Sequence, residues 1–235
     1  MLILGIDTAT DQVSVAIGGF EGVLGSVNVC RGRRHAETLA PAIDFLHRQT
    51  GIAPTDIGAV AVDVGPGLFT GLRVGVATAK AMAYALRVPM VGVVSLDLVA
   101  FPMRPTPRLI VAAVDARRGE LFYAFYRPVP GGVQREGAHQ VGSPADVAAE
   151  ILATGEECLV VGDGARRYAD QFEGLSRVLV ADQEVAHPTA ASLVRLAHAQ
   201  AVREEFVQPW ELEPVYLRKP DAVANWTSRT AEGSA

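Results

Sequence analysis

The stretch "LILGIDTATDQVSVAI" at 2–17 decides the fold, because its pattern returns at 109–126 as "LIVAAVDARRGELFYAFY". Each copy is an apolar run, an aspartate (Asp7 or Asp115), a polar turn and a second apolar run. An apolar run that breaks at a turn and then resumes predicts two adjacent strands. The repetition predicts a duplicated α/β unit, and the cleft between the two halves is the expected ligand site.

The segments after the first copy continue as alternating strands and helices. The first half reads β-β-β-α-β-α-β, with helices predicted at 35–49 and 70–87. After the second copy, helices are predicted from Ser143, a candidate N-cap residue, and from Pro188.

The stretch "RPTPR" at 104–108 is typical of a linker between two such units. We therefore predict an N-terminal lobe at 1–103 and a C-terminal lobe at 104–218, each with a mixed sheet flanked by helices. The small, polar residues of 219–235 predict a disordered tail.

Composition limits the function classes. The chain has 235 residues, a hydrophobic fraction of 49% and a formal net charge of -5. A free-standing nucleic-acid binder usually has a basic face, so we expect any nucleic-acid role to be shared with a partner. The two cysteines, Cys30 and Cys158, are widely separated, which favours a reducing compartment. The sequence shows no signal-peptide pattern and no long apolar stretch. We therefore predict a cytoplasmic protein without a membrane span.

The densest local motif is "DVGPGLFTGLRVG" at 63–75. Gly65 and Gly67 would let the backbone approach a ligand closely, and Thr70 is placed to cap a helix whose N-terminus favours an anion. The motif lacks the Gly-Lys-Ser/Thr ending of a phosphate-binding loop. Local chemistry alone favours a plain strand-to-helix turn.

Asp7 and Asp115 could hold a metal–phosphate group or act as a base if they met in the cleft, but each could equally cap its own turn. The stretch "VVGDGA" at 160–165 could lie over an adenine or a ribose, or could be another plain turn. The candidate nucleotide contacts are Asp7, Gly67, Thr70, Asp115, Gly162 and Asp163.

The predicted helix at 35–49 begins with one histidine where a metal site would need two. Leu39 stands four residues after His35, at the position where a second ligand would share its face. The apolar arc of this helix is wider than one sheet face requires, which predicts burial against a second chain. The predicted interface residues on the two helices are His35, Leu39, Ala42, Ile43, Leu46, Leu72, Arg73, Val76 and Lys80.

Several of these stretches, taken in order, resemble the TsaB (YeaZ) family. They are "ILGIDTAT" at the start, "RRHAETLAP" at 33–41, "GPGLFTGLRVG" at 65–75, "DARRGELFYAFY" at 115–126, "VVGDGA" at 160–165 and "EPVYLRKPDA" at 213–222. The family has small residues, often Ser, where this chain has Leu68. The resemblance spans nearly the whole chain and implies a duplicated actin-like (ASKHA) fold.

The resemblance also implies a role in making threonylcarbamoyladenosine next to the anticodon of tRNA. The transfer would be performed by a paralogous subunit, TsaD, which carries two histidines at i and i+4 and binds the metal. The TsaB-like chain would pair with TsaD as a non-catalytic subunit, joined by the ATPase TsaE. On this interpretation the chain has no catalytic residue and no metal of its own, and an adenine nucleotide could be shared at the partner interface.

Two enzymatic alternatives remain open on the sequence. One is a nucleotide-dependent phosphotransferase or ATPase that uses Asp7 and Asp115, since the same fold class supports that chemistry. The other is a metallopeptidase. An exposed apolar helix face would also favour a homodimer when the partner is missing.

Overall fold

A mixed sheet of five strands forms the core of the N-terminal half, in a computed structural model that describes residues 1–32 and 34–218. Its strands are β1 (Leu2–Asp7), β2 (Gln12–Gly19), β3 (Gly22–Cys30), β4 (Ile57–Asp63) and β5 (Met90–Val93). They lie in the order β3-β2-β1-β4-β5. The strands β1 to β3 pair antiparallel, whereas β4 is parallel to both β1 and β5.

A second mixed sheet repeats this arrangement. Its strands are β6 (Leu109–Arg117), β7 (Glu120–Val129), β8 (Gly132–Gly142), β9 (Cys158–Val161) and β10 (Val178–Val180). Their order, β10-β9-β6-β7-β8, places β6 where β1 lies in the first sheet, between an antiparallel and a parallel neighbour. The duplicated actin-like (ASKHA) fold with two mixed sheets is therefore confirmed.

Among residues 1–32 and 34–218, six α-helices flank the sheets. They are α1 (His35–Thr50), α2 (Phe69–Leu86), α3 (Ser95–Ala100), α4 (Pro144–Thr154), α5 (Asp163–Arg167) and α6 (Ala190–Val202). The predicted cap of α4 is confirmed, because the Ser143 hydroxyl accepts a hydrogen bond from the Asp146 N–H at 3.2 Å. Gly51 ends α1 in the left-handed conformation, where glycine is favoured.

Each half of the chain contributes one helix that packs on the sheet of the other half. The helices α1 and α2 cover one face of the first sheet, and α6, from the end of the described chain, covers the other face through Leu193 and Val194. In return α3, from the first half, packs on β6 and β7. The predicted ranges 1–103 and 104–218 separate the two sheets, but each lobe is completed by a helix from the other half.

Two elements were missing from the sequence prediction, for different reasons. The edge strand β8 is largely exposed and its sequence, "GVQREGAHQVG", has no apolar alternation. The helix α3 has only six residues, five of them buried, so it lacks an amphipathic period. The stretch "DGARRYADQF" at 163–172 also predicts a helix, but α5 ends at Arg167 and a 3-10 turn follows at Ala169–Gln171.

In the described part of the chain, no helix combines the length and the apolar composition needed to cross a bilayer. Both cysteines are free thiols; Cys30 is exposed and Cys158 is buried. The predicted tail at 219–235 lies outside the described residues.

The packing of α6 on the first sheet gives a stability prediction. Leu193 is fully buried there, so Leu193→Ala should lower the free energy of unfolding by about 2–5 kcal/mol. The exposed neighbour Arg195 provides the control, and Arg195→Ala should change it by no more than about 0.5 kcal/mol. Urea unfolding measures both, and equal effects of the two variants would contradict the packing.

Candidate functional site

The two duplicated turns are closed by their aspartates. At the end of β1, Asp7 Oδ1 accepts a hydrogen bond from the Ala9 N–H at 2.9 Å. At the end of β6, Asp115 Oδ1 accepts from the Arg117 N–H at the same distance. Both aspartates are buried. Each therefore performs the capping role that the sequence left open as the alternative to catalysis.

A cavity of about 470 Å³ lies between the two lobes. It is bounded by the first turn of α2, by the turn that joins β6 to β7, and by residues 215–218 of the C-terminal segment. Its lining includes His35, Gly67, Phe69, Thr70, Asp115, Arg117, Arg118, Phe122, Tyr216 and Arg218. The aromatic rings and three arginines suit an anionic ligand with an aromatic part.

A second, smaller cavity of about 250 Å³ is dominated by ion pairs. Arg117 reaches across from the C-terminal lobe to Asp11, in the turn between β1 and β2, at 2.8 Å. Arg117 also pairs with Asp115 at 3.0 Å, and Arg167 pairs with Asp115 at 3.2 Å. The Asp115 N–H donates to Asp163 Oδ1 at 3.0 Å. The cleft carboxylates are thus matched by arginines that the sequence analysis did not single out, although "DARRGE" contains one of them.

The structure brings together only some of the predicted nucleotide contacts. Gly67, Thr70 and Asp115 line the larger cavity, and Asp115 and Asp163 line the smaller one. Asp7 and Gly162 line neither. Within residues 1–32 and 34–218, no three His, Cys, Asp or Glu side chains are grouped so that they could hold a metal ion.

The two glycines of this set are required by close packing. A Cβ atom on Gly67 would lie 2.3 Å from the Ala9 carbonyl oxygen, and one on Gly162 would lie 2.0 Å from the Ala113 carbonyl oxygen. Any side chain at either position would force two backbone segments apart. Gly162 therefore serves the contact between its turn and β6.

The predicted cap at Thr70 is wrong. The helix α2 begins at Phe69, its N-cap residue is Leu68, and no side chain caps it. Thr70 is instead an exposed residue of the first turn, facing the cavity rim. The start of α2 is held by the Leu68 N–H, which donates to the Ala9 carbonyl at 2.7 Å.

His35 connects α1 to the turn after β1. Its ring is buried, and Nε2 lies 2.7 Å from the Thr10 carbonyl oxygen, which it can reach only as a donor. The side chain was predicted as a polar residue near an interface. The structure shows a buried hydrogen bond within the chain, which fixes the N-terminal end of α1.

Most of the predicted interface residues lie in the chain's own core. Those buried against the first sheet or beneath the two helices are Leu39, Ala42, Ile43, Leu46, Leu72 and Val76. Leu39, for example, is only 2% exposed. The apolar arc of α1 is wide because the helix packs over both β2 and β3. The prediction that these residues face another chain is therefore corrected, whereas Arg73 is exposed and Lys80 partly so.

A different set of residues faces outward on α1 and α2, and we call it the outer helix face. It consists of Ala36, Ala40, Pro41 and Phe45 on α1 and of Thr70, Arg73, Ala77, Ala81 and Tyr84 on α2. Phe45 is 48% exposed and Tyr84 is 77% exposed. The Arg73 guanidinium lies 3.9 Å from the centre of the Phe69 ring. Small side chains on both helices allow another helix to approach closely.

Sequence comparison identifies the family. The TsaB protein of Escherichia coli (strain K12), named for tRNA threonylcarbamoyladenosine biosynthesis, is 32% identical over 221 residues, which are 93% of this chain and 95% of that protein. The chain belongs to the TsaB (YeaZ) family. The structure of YeaZ from Pseudomonas aeruginosa agrees, with a TM-score of 0.79 and 28% identity over 92% of this chain and 99% of that one.

The TsaB family is also related in sequence to the transferase itself. A family model described as TsaD, tRNA N6-adenosine threonylcarbamoyltransferase, matches residues 25–226 of this chain. A transferase of that name from Geotalea uraniireducens is 35% identical, but over 40% of this chain and 32% of its own length. The TsaB protein of Escherichia coli, by contrast, matches this chain over nearly the whole length of both chains.

The burial of Leu39 predicts opposite results for two substitutions on α1. Leu39→Glu would place a charge in the core, so it should lower the free energy of unfolding by about 4 kcal/mol or more. Phe45→Glu changes a half-exposed ring and should leave the fold intact. Circular dichroism during thermal unfolding distinguishes them; a fully stable Leu39→Glu chain would show that this side chain lies at a surface.

Proposed function

We propose that this chain is a non-catalytic subunit that pairs with a TsaD paralogue through the outer helix face and activates threonylcarbamoyl transfer to tRNA in the cytoplasm. The observation that carries the proposal is the outer helix face, which presents small and aromatic residues on two neighbouring helices of a chain from the TsaB family. The TsaE ATPase would join the pair, and tRNA would be bound only by the assembly.

The geometry of the outer helix face supports a helix-to-helix contact. Along α2, Arg73, Ala77, Ala81 and Tyr84 follow one another at spacings of three or four residues and so form a single stripe. A facing helix can pack over this stripe, with the alanines allowing close approach. The same face would support a homodimer when the partner is missing.

The cleft supports a subunit that does not perform the chemistry. Asp7 is fully buried and bonded to its own turn, and Asp115 is held by Arg117 and Arg167, so neither carboxylate is available as a general base. The role of the chain would then be to hold the partner in its active arrangement. The phosphotransferase alternative needs both carboxylates in one pocket, whereas Asp7 lines neither cavity.

Charge substitution on the outer helix face tests the pairing. Ala77→Glu and Ala81→Glu would bury an unpaired charge at the contact, and we expect each to weaken binding to the TsaD paralogue about 100-fold or more, or about 3 kcal/mol. Both positions are exposed, so the isolated variants should fold.

The matched control is Ala153→Glu, an exposed alanine near the end of α4 in the other lobe. We expect it to bind the partner like the unchanged chain in a titration calorimetry experiment. Full binding and full activation by Ala77→Glu and Ala81→Glu would rule out the outer helix face as the contact.

We further propose that the larger cavity takes an adenine nucleotide shared with the partner. The support is its lining of Thr70, Arg118 and the Tyr216 ring. Arg117 and Arg218 also line it, although they pair with Asp115 and with Glu120. Thr70 belongs both to this lining and to the outer helix face, where a partner could close the cavity.

Thr70→Glu tests this site by placing a negative charge at the cavity rim. At a partner concentration at which the variant is fully paired, we expect it to weaken nucleotide binding about tenfold or more, since an anionic ligand would be repelled. Glutamate in the first turn favours the helix, so the loss would not come from unfolding. Thr70→Ser is the control. ATP turnover by the isolated chain that Asp7→Asn abolishes would instead favour the phosphotransferase.

A further inference from the structure

Two aspartates lie side by side at the ends of neighbouring strands in the first sheet. The parallel register of β1 and β4 pairs Ile6 with Val62, so Asp7 and Asp63 are the next residues on each strand. Asp7 is 0% exposed and Asp63 is 2% exposed. Residues in register on neighbouring parallel strands point to the same face of the sheet, so the two carboxyl groups lie next to each other, and each acts on the pKa of the other.

Each carboxyl group has one oxygen that receives hydrogen bonds and one that receives none in the described residues. Asp7 Oδ1 accepts from the Ala9 N–H at 2.9 Å, and Asp63 Oδ1 accepts from the Gly65 N–H at 2.7 Å and from the Ser95 hydroxyl at 2.6 Å. The second oxygen of each carboxyl is buried and receives no hydrogen bond from another group in the described residues. A contact between two carboxyl oxygens is a hydrogen bond only if one of them carries a proton.

In the described residues, no hydrogen bond to the pair comes from a Lys, Arg or His side chain. Two further carboxylates raise these pKa values, Asp163 that of Asp7 and Asp97 that of Asp63. The helices that pack on β1 and β4 contribute apolar side chains at their buried faces. These are Leu72, Val76 and Ala79 from α2 and Leu193, Val194 and Ala197 from α6. The flanking strands place Ser14 and Val93 beside the pair.

In the second lobe, arginines neutralise the carboxylate at the corresponding position. Asp115 at the end of β6 and Asp163 just after β9 occupy the corresponding places, and the Asp115 N–H bonds to Asp163. There Arg117 and Arg167 reach Asp115 and neutralise it. The first lobe has the paired carboxyls without the arginines, and two adjacent buried negative charges would repel each other strongly.

We propose that Asp7 and Asp63 share one proton, which makes this pair a buried proton site that links β1 to β4 beneath the start of α2. Burial raises the pKa of Asp63 to about 6. Burial and then the neighbouring Asp63 charge raise the pKa of Asp7 well above its usual value.

The sign of the pH dependence follows from the shared proton. Unfolded aspartates release their protons near pH 4, whereas the folded pair retains one to a higher pH. The stabilisation is complete below about pH 4 and is lost as pH rises through the folded pKa values, which begin near 6. Between pH 4 and these folded pKa values, each rise of one pH unit lowers the folding equilibrium constant by up to tenfold.

Asp63→Asn tests the proposal in the full-length chain. Its amide can donate to Asp7 without a shared proton, while its oxygen still accepts from Gly65 and Ser95. We expect the difference in stability between pH 5 and pH 8 to be smaller in this variant than in the unchanged chain. Asp44→Asn, an exposed carboxyl on α1, is the control and should keep the unchanged pH profile. Parallel profiles for Asp63→Asn and the unchanged chain would overturn the proposal.

Infrared spectroscopy gives a second measurement that does not depend on the stability of a variant. The unchanged chain at pH 7 should show the carbonyl band of a protonated carboxylic acid, and Asp63→Asn should lose it. The double variant Asp7→Asn/Asp63→Asn brings two amide donors face to face and should be less stable than either single variant. A spectrum of the unchanged chain without a protonated carboxyl band would refute the shared proton. Neither measurement involves the partner, so the result does not depend on the proposed function.

Discussion

The turn between β1 and β2 holds both helices that carry the outer helix face. Its Ala9 carbonyl accepts the Leu68 N–H ahead of α2, and its Thr8 hydroxyl donates to the Gly71 carbonyl inside α2 at 2.7 Å. Its Thr10 carbonyl accepts from His35 at the start of α1. These buried bonds fix where α1 and α2 begin, so the placement of any surface that the two helices form depends on one short turn.

The same turn explains why small residues recur at the start of α2. A Cβ atom on Gly71 would lie 2.1 Å from the Thr8 carbonyl oxygen, and one on Gly75 would lie 2.2 Å from the Thr8 hydroxyl. The helix can therefore lie directly against the turn only because these positions carry no side chain. Small residues on a helix often allow a partner helix to approach. At Gly71 and Gly75, however, they allow the packing of α2 against its own chain.

The duplicated lobes share a fold but differ in charge at corresponding positions. In the second lobe Arg117 and Arg167 reach the buried Asp115, and Arg117 also crosses to Asp11, so an ion pair connects the two lobes. In the first lobe the corresponding carboxyls lie deeper and meet each other. The cleft thus contains carboxylates that hold the structure together, which is why their presence alone does not indicate an enzyme.

The sequence by itself determined the duplicated fold and the places of most strands and helices, because apolar periodicity and turn residues act locally and recur in both halves. It also supplied the family, through motifs such as "GPGLFTGLRVG". Only the tertiary structure decided which side of each helix faces outward. The arc around Leu39 would be apolar whether it faced the chain's own sheet or a partner. Its burial depends on how α1 packs over β2 and β3, which no local pattern records. The contact of Asp7 with Asp63 likewise joins residues 56 positions apart, through the register of two strands that are not consecutive in the chain.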